Sequence, residues 1–156
     1  MSQFSVSLYN RRVAAAEHLR AAQSSNDPSA SPKRVRVLIV DDERDTVTTL
    51  MELLADEGYQ VRGVYKGRDA LDAMRDFDPE IVLIDLALPD MSGWEVARQI
   101  RARYGDERHK LISITGRYKQ GSDKVLGQIA GFNYWMEKPC EPRALLRLLE
   151  KIGGVP

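Results

Sequence analysis

Five short apolar runs alternate with five stretches of helical period, and this alternation limits the fold more than any other property of the chain. The runs are Val35–Val40, Tyr59–Tyr65, Ile81–Ile84, Leu111–Ile114 and Phe132–Met136. Arg44–Glu57, Arg68–Phe77, Trp94–Tyr104, Asp123–Ala130 and Arg143–Ile152 read as the helices that follow them. Val47, Leu50, Met51 and Leu54 fall at i, i+3, i+4 and i+7, as do Leu145, Leu148, Leu149 and Ile152, so these helices offer one apolar face. Gly58 is placed to end the first helix, and Asp78-Pro79 breaks the chain before the third run. Strands separated each time by a helix pair in parallel, with helices on both faces of the sheet. The expected fold is therefore α/β, a doubly wound five-stranded parallel sheet. Val35–Val40 and Ile81–Ile84 are the most uniformly apolar runs and belong at its centre, where both faces are covered.

The chain has 156 residues, 43% of them hydrophobic, enough for one domain with a real core. No apolar run approaches the ~20 residues needed to cross a bilayer. The N-terminus has no apolar core behind a basic start, so a secretory signal is not expected. The 23 Lys and Arg balance 23 Asp and Glu, which disfavours a nucleic-acid binder with a strong basic field. Cys140 is the single cysteine, so no intramolecular disulfide forms, and a reducing cytoplasm is the expected location. Residues 1–33 differ in kind from the rest. Leu8–Gln23 is rich in Ala and Arg and reads as a short helix with a thin apolar face, and Ser24–Pro32 is a polar, Pro-containing linker. The expected organisation is an N-terminal extension over 1–33, a domain over 34–152 and a short tail over 153–156.

Chemically capable residues stand at the ends of the strand-like runs. Asp41-Asp42 end the first, Asp85 the third, Thr115 the fourth, and Lys138 follows the fifth. Doubly wound sheets bind ligands beyond the carboxyl ends of their strands, so these distant residues converge on one rim. Crowded carboxylates repel one another, and a hard cation such as Mg²⁺ relieves that while keeping waters and binding phosphate oxygens. A carboxylate can also attack phosphorus to form an aspartyl-phosphate. An ammonium and a hydroxyl then stabilise the transferred phosphoryl group. The set is complete for metal-dependent phosphoryl transfer onto Asp85. Taken singly, Asp41-Asp42 is as well explained as an acidic pair at a helix start, Thr115 as a turn residue and Lys138 as a solvated lysine. Their joint placement favours the site.

At these residues the chain resembles the receiver domain of two-component response regulators. Val37-Leu38-Ile39-Val40-Asp41-Asp42-Glu43, Asp85-Leu86-Ala87-Leu88-Pro89-Asp90-Met91-Ser92-Gly93, Ile114-Thr115-Gly116 and Lys138-Pro139 carry the resemblance, which spans residues 35–152. It implies the flavodoxin-like strand order 2-1-3-4-5. It implies that Asp85 takes a phosphoryl group from a phosphohistidine on a histidine kinase or phosphotransfer protein. Asp41, Asp42, Asp85 and the backbone carbonyl of Ala87 would hold Mg²⁺, with Thr115 and Lys138 on the phosphoryl group. The Lys138-Pro139 bond is often cis in that family. Such a protein is no enzyme beyond promoting its own phosphorylation and dephosphorylation.

Three positions depart from the family pattern or leave it open. Tyr or Phe usually stands three residues before the lysine, as a rotameric switch coupled to the Thr. Here that residue is Trp135, whose bulk is expected to hinder inward rotation toward Thr115. Ala87 and Arg117 occupy positions that tune dephosphorylation and give no lifetime. After the receiver only Gly153-Gly154-Val155-Pro156 remains, so output is expected through protein contacts, on the face of helix 123–130, the fifth strand and the last helix, where a homodimer is also a candidate. A nucleotide or flavin site is disfavoured, because Asp41-Asp42-Glu43-Arg44 stands where a Gly-rich phosphate loop would be needed. A receiver that no longer accepts phosphate and serves as a binding module is the remaining alternative. His18 and His109 read as residues outside the chemistry, and Cys140 as a packing residue at the start of the last helix.

Overall fold

In a computed structural model, which describes residues 34–116 and 129–153, the apolar runs form one parallel sheet. The elements are β1 (Arg36–Val40), α1 (Arg44–Asp56), β2 (Gln60–Val64), α2 (Gly67–Phe77), β3 (Ile81–Ile84), α3 (Gly93–Tyr104), β4 (Lys110–Thr115), β5 (Tyr134–Glu137) and α4 (Pro142–Lys151). Strand order is β2-β1-β3-β4-β5, as the resemblance implies. Residues 1–33, Arg117 and most of the helix expected over Asp123–Ala130 lie outside the described residues.

Register follows from hydrophobicity. Val37, Leu38, Ile39 and Val40 pair with Ile81, Val82, Leu83 and Ile84, and all eight are buried. Successive side chains of a strand point to opposite faces, so two core layers form. Leu38, Val40, Val82, Ile84 and Leu111 pack under α2 and α3 with Met74, Val96 and Ile100. Val37, Ile39, Ile81, Leu83, Ile112 and Ile114 pack under α1 and α4 with Val47, Leu54, Leu145 and Leu149. Each fully buried aliphatic side chain contributes roughly 1.5–3 kcal/mol, and both layers of β1 and β3 are filled. These two strands are interior, as their composition predicts.

The fifth strand departs from expectation. It begins at Tyr134 rather than Phe132. Phe132 is buried before the strand, edge-on to Trp94 with ring centroids 5.7 Å apart. Gly131 precedes it with φ at 96°, a conformation that L side chains avoid, and the Arg101 side chain fills the space a Cβ would take.

Arg101 ties this bend to the base of the sheet. Its side chain is only 9% exposed. Its Nε donates to the Gly131 carbonyl at 2.8 Å, Nη1 to the carbonyls of His109 (2.9 Å) and Gly105 (3.2 Å), and Nη2 to Asn133 Oδ1 at 2.7 Å. Asn133 Oδ1 also accepts the Leu111 N–H at 2.8 Å. One planar donor set therefore joins α3, the β4 entrance and the β5 entrance. His109 is buried beside it, with Nδ1 2.6 Å from the Pro79 carbonyl and Nε2 without a hydrogen-bond partner among the described residues. Burial pulls the imidazole below its ordinary pKa, and the charges of Arg108 and Arg101 act in the same sense, against the Pro79 bond and Asp78.

Two outcomes follow from this base. Arg101→Ala leaves the part-buried acceptors at Gly131, His109 and Asn133 without this donor and is expected to destabilise the fold by about 2–4 kcal/mol, measured by urea unfolding, with Arg101→Lys restoring little because an ammonium cannot span the four acceptors. His109 binds its proton more weakly folded than unfolded, so its stabilisation is full above the unfolded pKa of 6.5 and is lost as pH falls below it through the folded value. Between neutral pH and about pH 5 the melting temperature should fall more steeply in the unaltered chain than in His109→Gln. Equal slopes would contradict this account.

Candidate functional site

β1, β3 and β5 each deliver a side chain to the C-terminal rim, and backbone bonds past the strand ends fix those residues. The Asp41 N–H donates to the Val64 carbonyl at 3.1 Å, the Asp85 N–H to Val40 at 2.8 Å and the Lys138 N–H to Thr115 at 3.1 Å. Asp41 continues the parity of Val37 and Ile39, and Asp85 that of Ile81 and Leu83, so both stand on the α1/α4 side of the sheet.

There they meet one ammonium. Lys138 Nζ lies 2.6 Å from Asp41 Oδ2 and 2.9 Å from Asp85 Oδ2, with Glu43 at 3.9 Å. Asp41 Oδ1 accepts the Glu43 N–H at 2.9 Å, and Asp85 Oδ1 accepts the Ala87 N–H at 3.2 Å. Asp41 and Asp85 are buried and Asp42 is exposed, with one carboxylate oxygen of each within 4.8 Å of the others. The Lys138-Pro139 bond is cis.

Three acids stand around one ammonium, two of them buried. Burial lifts the Asp41 carboxyl above its ordinary range, and the nearby Asp85 charge adds to this. The hydrogen bonds from Lys138 and from the Glu43 amide, with the lysine's charge, oppose it without cancelling it. For Lys138, burial lowers the pKa, yet hydrogen bonds and attraction from Asp41 and Asp85 outweigh it and hold the ammonium above its usual value. The lysine is thus firmly charged while a buried acid is not fully compensated. That imbalance fits a cation. The donors are all hard oxygens, and one carboxylate is exposed where waters can remain, the set that Mg²⁺ accepts.

The other candidates fall nearby. Thr115 is buried at the end of β4. Its parity is that of Leu111, which packs in the α2/α3 layer, and Trp135 packs against that layer too, so the two expected switch residues share a side of the sheet. The indole N–H of Trp135 is covered and has no hydrogen-bond partner among the described residues. Gly93 follows from close approach: a Cβ there would strike the Asp85 carbonyl and come within 2.8 Å of Leu86 Cα. Cys140 lines a groove of about 540 Å³ with Glu43, Thr46, Leu50, Ile114 and Lys138. Burial and Glu141 push its thiol up, so it stays protonated and unreactive.

Two contributors were not singled out by sequence reasoning. Glu43 entered only as the last residue of the motif after the first strand, yet its carboxylate accepts the Thr46 hydroxyl at 2.6 Å and turns toward Lys138. Asp90 entered only as part of the Asp85–Gly93 motif, yet it accepts two amides of α2, 23 and 22 residues away in sequence. The Glu43–Thr46 spacing is a weak local signal for the first. Nothing local signals the second.

The profile of the response regulator receiver domain matches residues 37–150. The chain belongs to the response regulator receiver family. This receiver is similar to a CheY-like receiver domain protein from Methanospirillum hungatei JF-1, with 28% identity and TM-score 0.71 over 77% of this chain and 94% of that one. It is also similar to the CheY-like receiver domain from Methylobacillus flagellatus, with 31% identity and TM-score 0.66 over 77% and 99% of the two chains. The chemotaxis response regulator CheY4 of Vibrio cholerae matches at 26% identity and TM-score 0.71, over 77% and 99%. A receiver implies interaction with a histidine kinase or phosphotransfer protein, and the family generally binds Mg²⁺ at an acidic pocket such as the Asp41, Asp42, Asp85 cluster. No helix among the described residues is long and apolar enough to cross a membrane.

Asp41 holds its proton more tightly folded than unfolded. Its ionised form therefore weakens the metal-free fold above the folded pKa, and the penalty disappears below the unfolded value of 3.8. Asp41→Asn is expected to raise the melting temperature of the metal-free receiver at neutral pH and to remove the further rise that Mg²⁺ gives the unaltered chain. Scanning calorimetry with and without Mg²⁺ measures both.

Proposed function

We propose that this receiver accepts a phosphoryl group on Asp85 from a phosphohistidine, with Mg²⁺, and signals through protein contacts. The observation that carries the reading is the Lys138 ammonium shared by Asp41 and Asp85, beside a third carboxylate. Asp85 is the acceptor because its oxygens sit within reach of both the lysine and the backbone of Ala87. An Asp85 oxygen attacks phosphorus, the P–N bond of the phosphohistidine breaks, and the imidazole leaves with the bonding electrons. Lys138 faces the phosphoryl oxygens and offsets their charge, and Thr115 supplies a hydroxyl on the other side. When bound, Mg²⁺ supplies positive charge against both the carboxylates and the phosphoryl oxygens. Asp41, Asp42, Asp85 and the Ala87 carbonyl would hold it. The groove between α1 and the Lys138–Cys140 loop gives a partner's phosphohistidine an approach to this edge. The protein is a switch rather than an enzyme, promoting only its own phosphorylation and dephosphorylation, and the cytoplasm is its setting. The phosphoryl group on Asp85 would bias a two-state equilibrium that Thr115 and Trp135 read out.

Acetyl phosphate with Mg²⁺ should give a single phosphoryl adduct by intact mass, absent in Asp85→Asn and in excess chelator. No adduct from acetyl phosphate, phosphoramidate or a phosphorylated phosphotransfer domain would instead mark a phosphorylation-silent binding module.

A further inference from the structure

The loop from Asp85 to Gly93 carries the proposed phosphoacceptor at one end and starts α3 at the other. Two of its ties are internal: the Ala87 N–H to Asp85 Oδ1 at 3.2 Å and the Gly93 N–H to the Leu86 carbonyl at 2.9 Å. A third leaves the loop. Asp90 Oδ1 accepts the Gly67 N–H at 2.8 Å and Oδ2 the Arg68 N–H at 3.0 Å. These are the first amides of α2, and its own N-cap residue, Lys66, makes no side-chain cap. The first turn of a helix leaves such amides without intrahelical partners and favours a negative charge beside them. Here a carboxylate from a different loop takes that place. Slight burial pushes the Asp90 carboxyl up, but the amides of Arg68, Gly67, Asp90 itself and Met91 outweigh it and leave it below the ordinary range. Packing closes the same junction: a Cβ on Gly67 would collide with Met91 and come within 2.8 Å of Val96 Cγ2.

We propose that Asp90 is a positioning residue for the phosphoacceptor site, clamping the Asp85–Gly93 loop to the first turn of α2 and coupling cation binding at Asp85 and Ala87 to that helix. The inference rests on the reading of Asp85 as the acceptor with Mg²⁺. Among the described residues, loop and helix are otherwise joined at this point by side-chain packing, so the two hydrogen bonds set where the loop stands. Coupling is reciprocal. If the clamp raises cation affinity, the cation must tighten the clamp. A residue that merely caps α2 would do neither.

The test is calorimetric titration of the full chain with MgCl₂, with amide hydrogen exchange at Gly67 and Arg68. Asp90→Ala should weaken Mg²⁺ binding about fivefold, and Asp90→Asn, which keeps one oxygen acceptor, should fall between. Mg²⁺ should slow exchange at Gly67 and Arg68 in the unaltered chain and not in Asp90→Ala. Arg36→Ala breaks ion pairs to Asp78 and Glu80 at the opposite end of the sheet, so it should lower the melting temperature and leave Mg²⁺ affinity unchanged. Unchanged affinity in both Asp90 variants, with exchange insensitive to Mg²⁺ in the unaltered chain, overturns the proposal while the acceptor reading stands. An unaltered chain that does not bind Mg²⁺ overturns both. Should Asp90→Ala not fold, Asp90→Asn with the exchange of the unaltered chain decides the matter.

Discussion

The parallel ladder holds this protein's chemistry in place, because its hydrogen bonds run past the last residue of each strand. Asp41, Asp85 and Lys138 each donate a backbone N–H to a neighbouring strand or strand end. Their side chains are therefore presented from a rigid sheet, though all three sit where loops begin. Without that anchoring, two buried carboxylates would separate under mutual repulsion. With it, they are held near one ammonium and stay short of positive charge. A cation is the physical answer to that shortage, and burial, with the Asp85 charge added, already raises the Asp41 carboxyl in the metal-free fold.

The two ends of the sheet divide the work. The C-terminal rim carries uncompensated acid, a groove and, at Trp135, a covered indole N–H with no partner among the described residues. The base carries compensated charge: Arg36 with Asp78 and Glu80, Arg108 with Asp78, and Arg101 with three carbonyls and an amide oxygen. His109 is the one poorly served group at the base, and it makes that end sensitive to acid.

Trp135 bears on how a signal would leave the rim. The expectation of bulk hindering rotation meets a side chain packed against the α2/α3 layer, on the same side of the sheet as Thr115.

Much of the fold was legible in the chain because its signals are local. Val37–Val40 and Ile81–Ile84 announce buried strands by composition, and Val47, Leu50 and Leu54 announce a helix by period. Strand ends locate Asp41, Asp85, Thr115 and Lys138 on one rim, since a parallel sheet aligns its carboxyl ends. The start of β5 was misplaced because Phe132 has the character of a strand residue, while the bend at Gly131 is set by Arg101, far off in sequence. The sequence by itself determined the alternation of elements, the apolar faces and the residue types at the rim. Only the tertiary structure decided that one lysine serves both Asp41 and Asp85, that Asp90 caps a helix in another unit, and that Arg101 spans three elements. The reason is that period and composition act over a few residues, whereas charge and hydrogen-bond partners are chosen by proximity in space.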